Sequence, residues 1–297
     1  ANKFTDAGGN NNTAATQFNW TYDGTVPTIT NVTSSTVNGI FTTGDAISIQ
    51  VTFSEAVTVV GTPVLTLETG SSDTNATYSS GSGSNTLTFA YTVLSTDNNC
   101  DLDYASTSAM SVSASNTSIK DSVGNDATLT LPSPDATGSL GANKDLVVDN
   151  TAPSITVQNI TVNVGAGNVT PSASDINNGT SDACDDSLTY QITTGTFDCS
   201  DVGSTQTGLF RATDAAGNVS EATYSVTVVD TTIPVISMTG SSPVSVERLA
   251  TYTDAGATAT DTCSGTLTSS IATTSNVNTS VVGSYTVTYN VDDASGN

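Results

Sequence analysis

Thr213-Asp214-Ala215-Ala216-Gly217-Asn218 leads into Tyr224-Ser225-Val226-Thr227-Val228-Val229, and that run leads into Asp230-Thr231-Thr232-Ile233-Pro234-Val235-Ile236. The first piece reads as a turn, in which a short carboxylate folds back on its own backbone and glycine accepts a positive φ. The second alternates apolar and polar residues with period two, the signature of a half-buried antiparallel strand. The third is a linker whose proline starts the next strand. Turn, strand and linker follow one another with no helical interval.

Moving outward, both turn and linker recur. Asp-x-x-Gly-Asn appears at Asp6 to Asn10, Asp121 to Asn125, Asp214 to Asn218 and Asp293 to Asn297. Asp-x-Thr-x-Pro-x-Ile appears at Asp23 to Ile29, Asp149 to Ile155 and Asp230 to Ile236. Seven occurrences in strict alternation mean tandem modules.

Between the motifs lie further strands: Thr28 to Val32, Ala46 to Phe53, Val64 to Leu67, Thr86 to Val93 and Ala127 to Leu131 in one module. Leu188 to Ile192 and Tyr224 to Val229 repeat the pattern in the next, and Ser284 to Val291 in the last. No stretch sustains a 3.6-residue period. The fold class is therefore all-β, a string of antiparallel β-sandwiches in an elongated rod.

Composition excludes much. The chain has 297 residues, 5 Lys+Arg against 28 Asp+Glu, and no histidine. A net charge of -23 rules out an electrostatic nucleic-acid binder and, without a bridging cation, docking on anionic lipid. Without histidine there is no Ser-His-Asp triad, no Cys-His pair and no His-ligated zinc. Apolar runs such as Val57-Thr58-Val59-Val60 are too short to span a bilayer, so no membrane insertion is expected. Hydrophobic residues still make up 36%, and the recurring Val, Ile and Tyr separate the chain from a disordered acidic tail. Only four of the acids are Glu (Glu55, Glu68, Glu221 and Glu247), and Asp is the residue that caps turns or reaches a cation from a loop.

On these motifs the chain resembles bacterial Ig-like repeats. Residues 25–151, with Phe53-Ser54-Glu55-Ala56-Val57 and Ile119 to Asn125, are similar to a bacterial Ig-like domain. Residues 152–231 resemble a hyalin-type (HYR) repeat through Ile176-Asn177-Asn178-Gly179, the Cys184/Cys199 pair and Thr213 to Ser220. Residues 232–297, with Tyr252 to Ala259 and Gly283 to Tyr289, resemble a further Ig-like domain lacking its last strand, and residues 1–24 the closing hairpin of a preceding repeat. The resemblance implies a stalk segment of a giant, non-enzymatic adhesin at the bacterial cell surface. Its partners would be adjacent repeats of the same chain and a surface or glycan receptor. Two other readings stay open: a filament subunit in which residues 11–22 complete a neighbour's open edge, and a spacer in a secreted polysaccharide-degrading enzyme.

In such a sandwich the loop before the last strand lies at the same end as the domain's N-terminus. That groups Asp23 with Asp121 and Asn125, Asp149 with Asp214 and Asn218, and Asp230 with Asp293 and Asn297. Carboxylate and amide oxygens suit calcium, which would stiffen the junctions. Equally, Asp and Asn serve as turn caps through their own backbone. Asp97-Asn98-Asn99-Cys100-Asp101-Leu102-Asp103 spaces oxygens like half a calcium loop but lacks the glycine and distal Glu, and reads as a solvated loop.

Cys184 and Cys199 flank one expected strand and form the natural disulfide, closing a loop that adds about 3 kcal/mol in the chain-entropy model. Cys100 and Cys263 are expected as unpaired thiols. Gly165-Ala166-Gly167-Asn168 has two glycines of a dinucleotide loop but no third and no following helix, so no cofactor is expected there.

Overall fold

The computed structural model describes residues 5–10, 22–112 and 117–297, which form two compact units, Ala1–Asn150 and Thr151–Asn297. The hairpin expected over residues 1–24 and the exchangeable strand over residues 11–22 fall mostly outside the described residues.

In the first unit, β1 (Ile29–Ser34), β2 (Gly39–Phe41), β3 (Ala46–Val60), β4 (Val64–Leu67), β5 (Thr74–Ser80) and β6 (Ser84–Thr92) come in quick succession. The short strands β7 (Met110–Ser111), β8 (Ser118–Lys120) and β9 (Leu146–Val148) follow, with one helical turn, α1 (Leu140–Asn143), before the last. The main sheet runs β1-β3-β6-β5-β4-β7, and β2 pairs with β9 in parallel. β3 is the backbone of this arrangement. Its alternation sends Ile47, Ile49, Val51 and Phe53 into the core, opposite Phe89 and Leu87 of β6. Where the sequence pattern stops at Phe53, the chain instead passes through an irregularity between Thr52 and Val57 and continues to Val60, paired now with β8. Such a bulge adds local twist and lets one strand serve two ladders.

Ala127 to Leu131, expected as a strand, lies extended without becoming one. Its backbone bonds go successively to Ile119, Pro27 and Thr107, so it meets three partners and no continuous ladder forms. Beneath the sheet, Asp97 is buried yet fully engaged. It accepts hydrogen bonds from the Tyr91 hydroxyl (2.8 Å), the Leu94 amide (2.9 Å) and the Thr74 hydroxyl (2.9 Å). Burial is the main cause raising the Tyr91 hydroxyl far above the usual tyrosine range, followed by its bond to Asp97.

The second unit holds two sequence modules. One contains β10 (Ile160–Asn163), a helical turn α2 (Ala173–Ile176), β11 (Thr189–Ile192), β12 (Thr205–Thr213) and β13 (Val219–Val229), in the order β10-β13-β12-β11. β12 and β13 form a hairpin closed by the Asp214–Asn218 turn, and β10 adds to β13 in parallel. Tyr224, Val226 and Val228 of β13 point into the core with Phe210 and Val164. Gly208 of β12 sits opposite Tyr224, and a Cβ there would lie 2.4 Å from the tyrosine ring. The glycine makes room for the ring, whose hydroxyl meets Thr194.

The other module contains β14 (Val235–Met238), β15 (Ala257–Asp261), β16 (Gly265–Thr266), β17 (Ala272–Ser275) and β18 (Val287–Asn290). They form a three-stranded and a two-stranded sheet. Among its described residues only Ala259 is a fully buried hydrophobic, while Ile233, Val235, Met238, Leu249 and Val282 are all more than 60% exposed.

Candidate metal centre

The four Asp-x-x-Gly-Asn segments fold alike. In each, the Asp amide donates to the Asn carbonyl, at 3.0, 3.1, 3.2 and 3.1 Å in chain order. One Asp oxygen, Oδ1, accepts the amide of the following Asn at 2.8–2.9 Å. The glycines sit at φ 76°, 106°, 91° and 84°, the left-handed region that L side chains avoid. Burial alone would raise the Asp121 carboxyl, but donors from Asn125, Val123 and Gly124 outweigh it and hold the group below the usual carboxylate range. Asp293 is held low chiefly by the Asn297 side chain.

The asparagines act as staples. Asn125 donates Nδ2 to Asp121 Oδ2 (2.6 Å) and to the carbonyls of Asp23 (3.2 Å) and Thr25 (3.0 Å) in the linker. Asn297 does the same to Asp293 Oδ2 (2.9 Å) and the Asp230 carbonyl (3.0 Å). Asn218 reaches the Thr151 carbonyl at 3.2 Å. Facing carboxylates and carbonyls, each amide presents its nitrogen, so each asparagine ties turn to linker as a hydrogen-bond donor through Nδ2.

Linker and turn carboxylates do meet. In the first unit, oxygens of Asp23, Glu55 and Asp121 lie within 4.8 Å of one another; in the second, those of Asp230, Asp261 and Asp293 do. The third member of each set, Glu55 or Asp261, was absent from the sequence grouping. Glu55 follows the strand motif Phe53-Ser54, and Asp261 stands two residues before Cys263, at the end of β15. Asp261 ends β15, whereas Glu55 lies inside β3 within its irregular stretch between Thr52 and Val57, and neither placement is legible from alternation. Asp149 is buried in the first unit, its amide bonded to the Phe41 carbonyl, and Asp214 is buried in the second.

The linkers themselves are capped. Asp23 Oδ1 accepts the Thr25 amide at 2.9 Å and Asp230 Oδ1 the Thr232 amide at 3.0 Å. The Gly165 segment packs against the third linker, at Asp230. A Cβ on Gly165 would fall 2.1 Å from Asp230 Oδ1 and 2.0 Å from Thr232 Oγ1. Asn163 on the same segment bonds the Thr231 hydroxyl and amide.

The cysteine pairing differs from the expectation. Cys199 bonds Cys263, across 64 residues and with Cα atoms 5.0 Å apart, joining the two modules of the second unit. It is not bonded to Cys184. A Cα separation of 5.0 Å lies inside the range a disulfide spans, so Cys199 and Cys263 meet without distortion of the backbone. Cys199 emerges where the linker leaves its module, and the Asp261–Ser264 turn of the next module meets it there. No described cysteine is free, and Cys100 and Cys263, expected as thiols, are both oxidised.

Residues 97–103 do not form a calcium loop, because Asp97 is spent on internal donors. Asp101, Asp103 and Asp135 instead gather around Gly141. Asp101 is raised, first by burial and then by the neighbouring Asp135, Asp103 and Asp145.

Residues 236–297 match the family "Bacterial surface protein, Ig-like domain". Among solved structures, dimeric latent PorU from Porphyromonas gingivalis is similar at 11% identity and a TM-score of 0.15, over 80% of this chain. The match spans 26% of that chain. No curated protein matches. Among the described residues, no helix is long and apolar enough to cross a membrane.

Proposed function

We propose that the chain is a non-enzymatic stalk segment of a bacterial surface adhesin, a row of Ig-like modules that carries tension to a distal binding module. The observation that carries the reading is the construction of the joint at Asp230. A disulfide, an asparagine staple and a glycine-lined close approach all act on one short linker. A joint fastened three ways suits a part that must transmit load. The match of residues 236–297 to bacterial surface Ig-like domains and the oxidised cysteines support a place outside the cytoplasm. Calcium at the acidic turns is part of this reading, as the element that stiffens each joint. The test is labelling of intact cells with antibodies raised against the purified chain. Labelling together with inhibition of attachment is expected; labelling of lysed cells alone overturns the reading.

The exposed Ile233, Val235, Met238 and Leu249 favour a second reading, homotypic assembly through the last module. Concentration-dependent filaments of the purified chain are its signature, and a chain that stays monomeric at all concentrations excludes it.

A further inference from the structure

We infer that Asp230, Asp261 and Asp293 form a calcium centre in which Asp261, not an asparagine of the turn motif, supplies the third protein side chain. The inference rests on the junction reading above but not on the adhesive role, so absence of surface labelling leaves it standing.

Proximity of acids alone would not carry this. The decisive observation is unmet bonding capacity. Asp230 is only 5% exposed and Asp261 partly buried, and the Oδ2 atom of each is buried without a hydrogen-bond partner. Only one other buried side-chain polar atom among the described residues, Ser204 Oγ, shares that condition. Two of three orphans therefore fall in one cluster. A buried carboxylate oxygen without a donor is costly, and buried charges are ordinarily paired or bound to metal.

Among the described residues, no cation is paired with these carboxylates. The two ion pairs among the described residues are Lys120–Asp126 and Arg211–Glu221, both elsewhere. Meanwhile the remaining oxygens are already committed. Asp261 Oδ1 accepts the Cys263 and Ser264 amides at 2.8 Å each, Asp230 Oδ1 the Thr232 amide, and Asp293 the amides of Ser295 and Asn297. These bonds fix each carboxylate in orientation and leave Oδ2 of Asp230 and Asp261 free to face an ion.

The dimensions agree. Oxygens on opposite sides of a calcium at about 2.3–2.6 Å lie roughly 5 Å apart, and one oxygen from each Asp lies within 4.8 Å of the others. An all-oxygen, three-carboxylate site selects a hard divalent cation. Three carboxylates with no octahedral constraint suit calcium, which tolerates flexible geometry, better than magnesium, which usually keeps its waters and takes only one or two carboxylates. One ion would then tie the linker, β15 and the last turn at the disulfide-bonded joint.

The test uses the whole chain, stripped with chelator and dialysed. Calcium and magnesium are titrated separately by calorimetry, with melting followed in parallel, on wild type and on Asp261→Asn. The substituted side chain keeps an Oδ1 for the Cys263 and Ser264 amides and removes the charge. Calcium should raise the melting temperature of wild type, and Asp261→Asn should bind one calcium fewer per chain. Without ion, Asp261→Asn should melt no lower than wild type, since it relieves a like-charge cluster; a merely structural Asp261 would show the reverse. If Asp261→Asn does not fold, Asp230→Asn is read in its place and must lose the same ion. Equal calcium stoichiometry in variant and wild type, or a wild type whose melting ignores calcium, overturns the centre. Magnesium matching calcium at equal concentration overturns its assignment to calcium.

Discussion

A single carboxylate does two jobs in the turns at Asp121 and Asp293. Oδ1 organises the loop, and the group as a whole faces the linker acids. Asp121 and Asp293 are held below their ordinary value of 3.8, so they contribute stability that is complete above that pH and lost as pH falls through the lower, folded value. In chelator, melting temperature should therefore be level above about pH 5 and decline below about pH 4. A rise on acidification through this window would mean that repulsion among the clustered acids outweighs the turn bonds. Gly165 supplies a second test at this scale. Gly165→Ala places a methyl group on top of Asp230 Oδ1 and Thr232 Oγ1, and overpacking of that kind costs about 1–3 kcal/mol. Urea unfolding of the second unit should show the loss, and an unchanged midpoint would mean that the linker does not pack as described. The glycine was conspicuous in the sequence, yet its purpose depends on a linker 65 positions away, at Asp230, and could not be read locally.

Alternation is clear in some interior strands of this protein and weak in others. β6 and the Ala46–Phe53 part of β3 alternate buried and less buried residues and are plain from the pattern, whereas β12 lacks bulk at Gly208 and β5 is short of apolar residues. Tertiary pairing sustains these last two: β12 is held on both sides, by β11 and β13. The Ala127–Leu131 stretch shows the converse, since good alternation without one continuous neighbour gives no strand. Between β6 and the loop that follows, Asp97 is the hub. Asp97→Ala would strand the Tyr91 hydroxyl and the Leu94 amide inside the unit. Leaving a buried donor unsatisfied costs about 1–3 kcal/mol, so the urea midpoint should fall with unchanged slope. Asp97→Ala as stable as wild type would show that water replaces the carboxylate.

At the scale of the molecule, the last module depends on its neighbour. With Ala259 as its one fully buried hydrophobic among the described residues, it has little core of its own, and the Cys199–Cys263 bond fastens it to a module that has one. Closing a loop of 64 residues is worth about 4 kcal/mol in the chain-entropy model. In a Cys199→Ser, Cys263→Ser double variant, residues 232–297 should become sensitive to protease while residues 152–231 stay resistant. Equal resistance of the two would show that the calcium centre or the staple alone is enough.

The all-β class, the periodic strands and the turn and linker motifs are legible in the residues alone, because side-chain alternation and turn chemistry are local properties of a few consecutive residues. The sequence also placed linker and turn acids at one end of a sandwich, which follows from counting strands. It took the folded chain to show that Cys199 meets Cys263, that Glu55 and Asp261 join the carboxylate sets, and that the asparagine amides donate to the linker carbonyls. Those outcomes depend on which end of a strand a residue reaches and which way its side chain turns, and neither is encoded within the span of one motif.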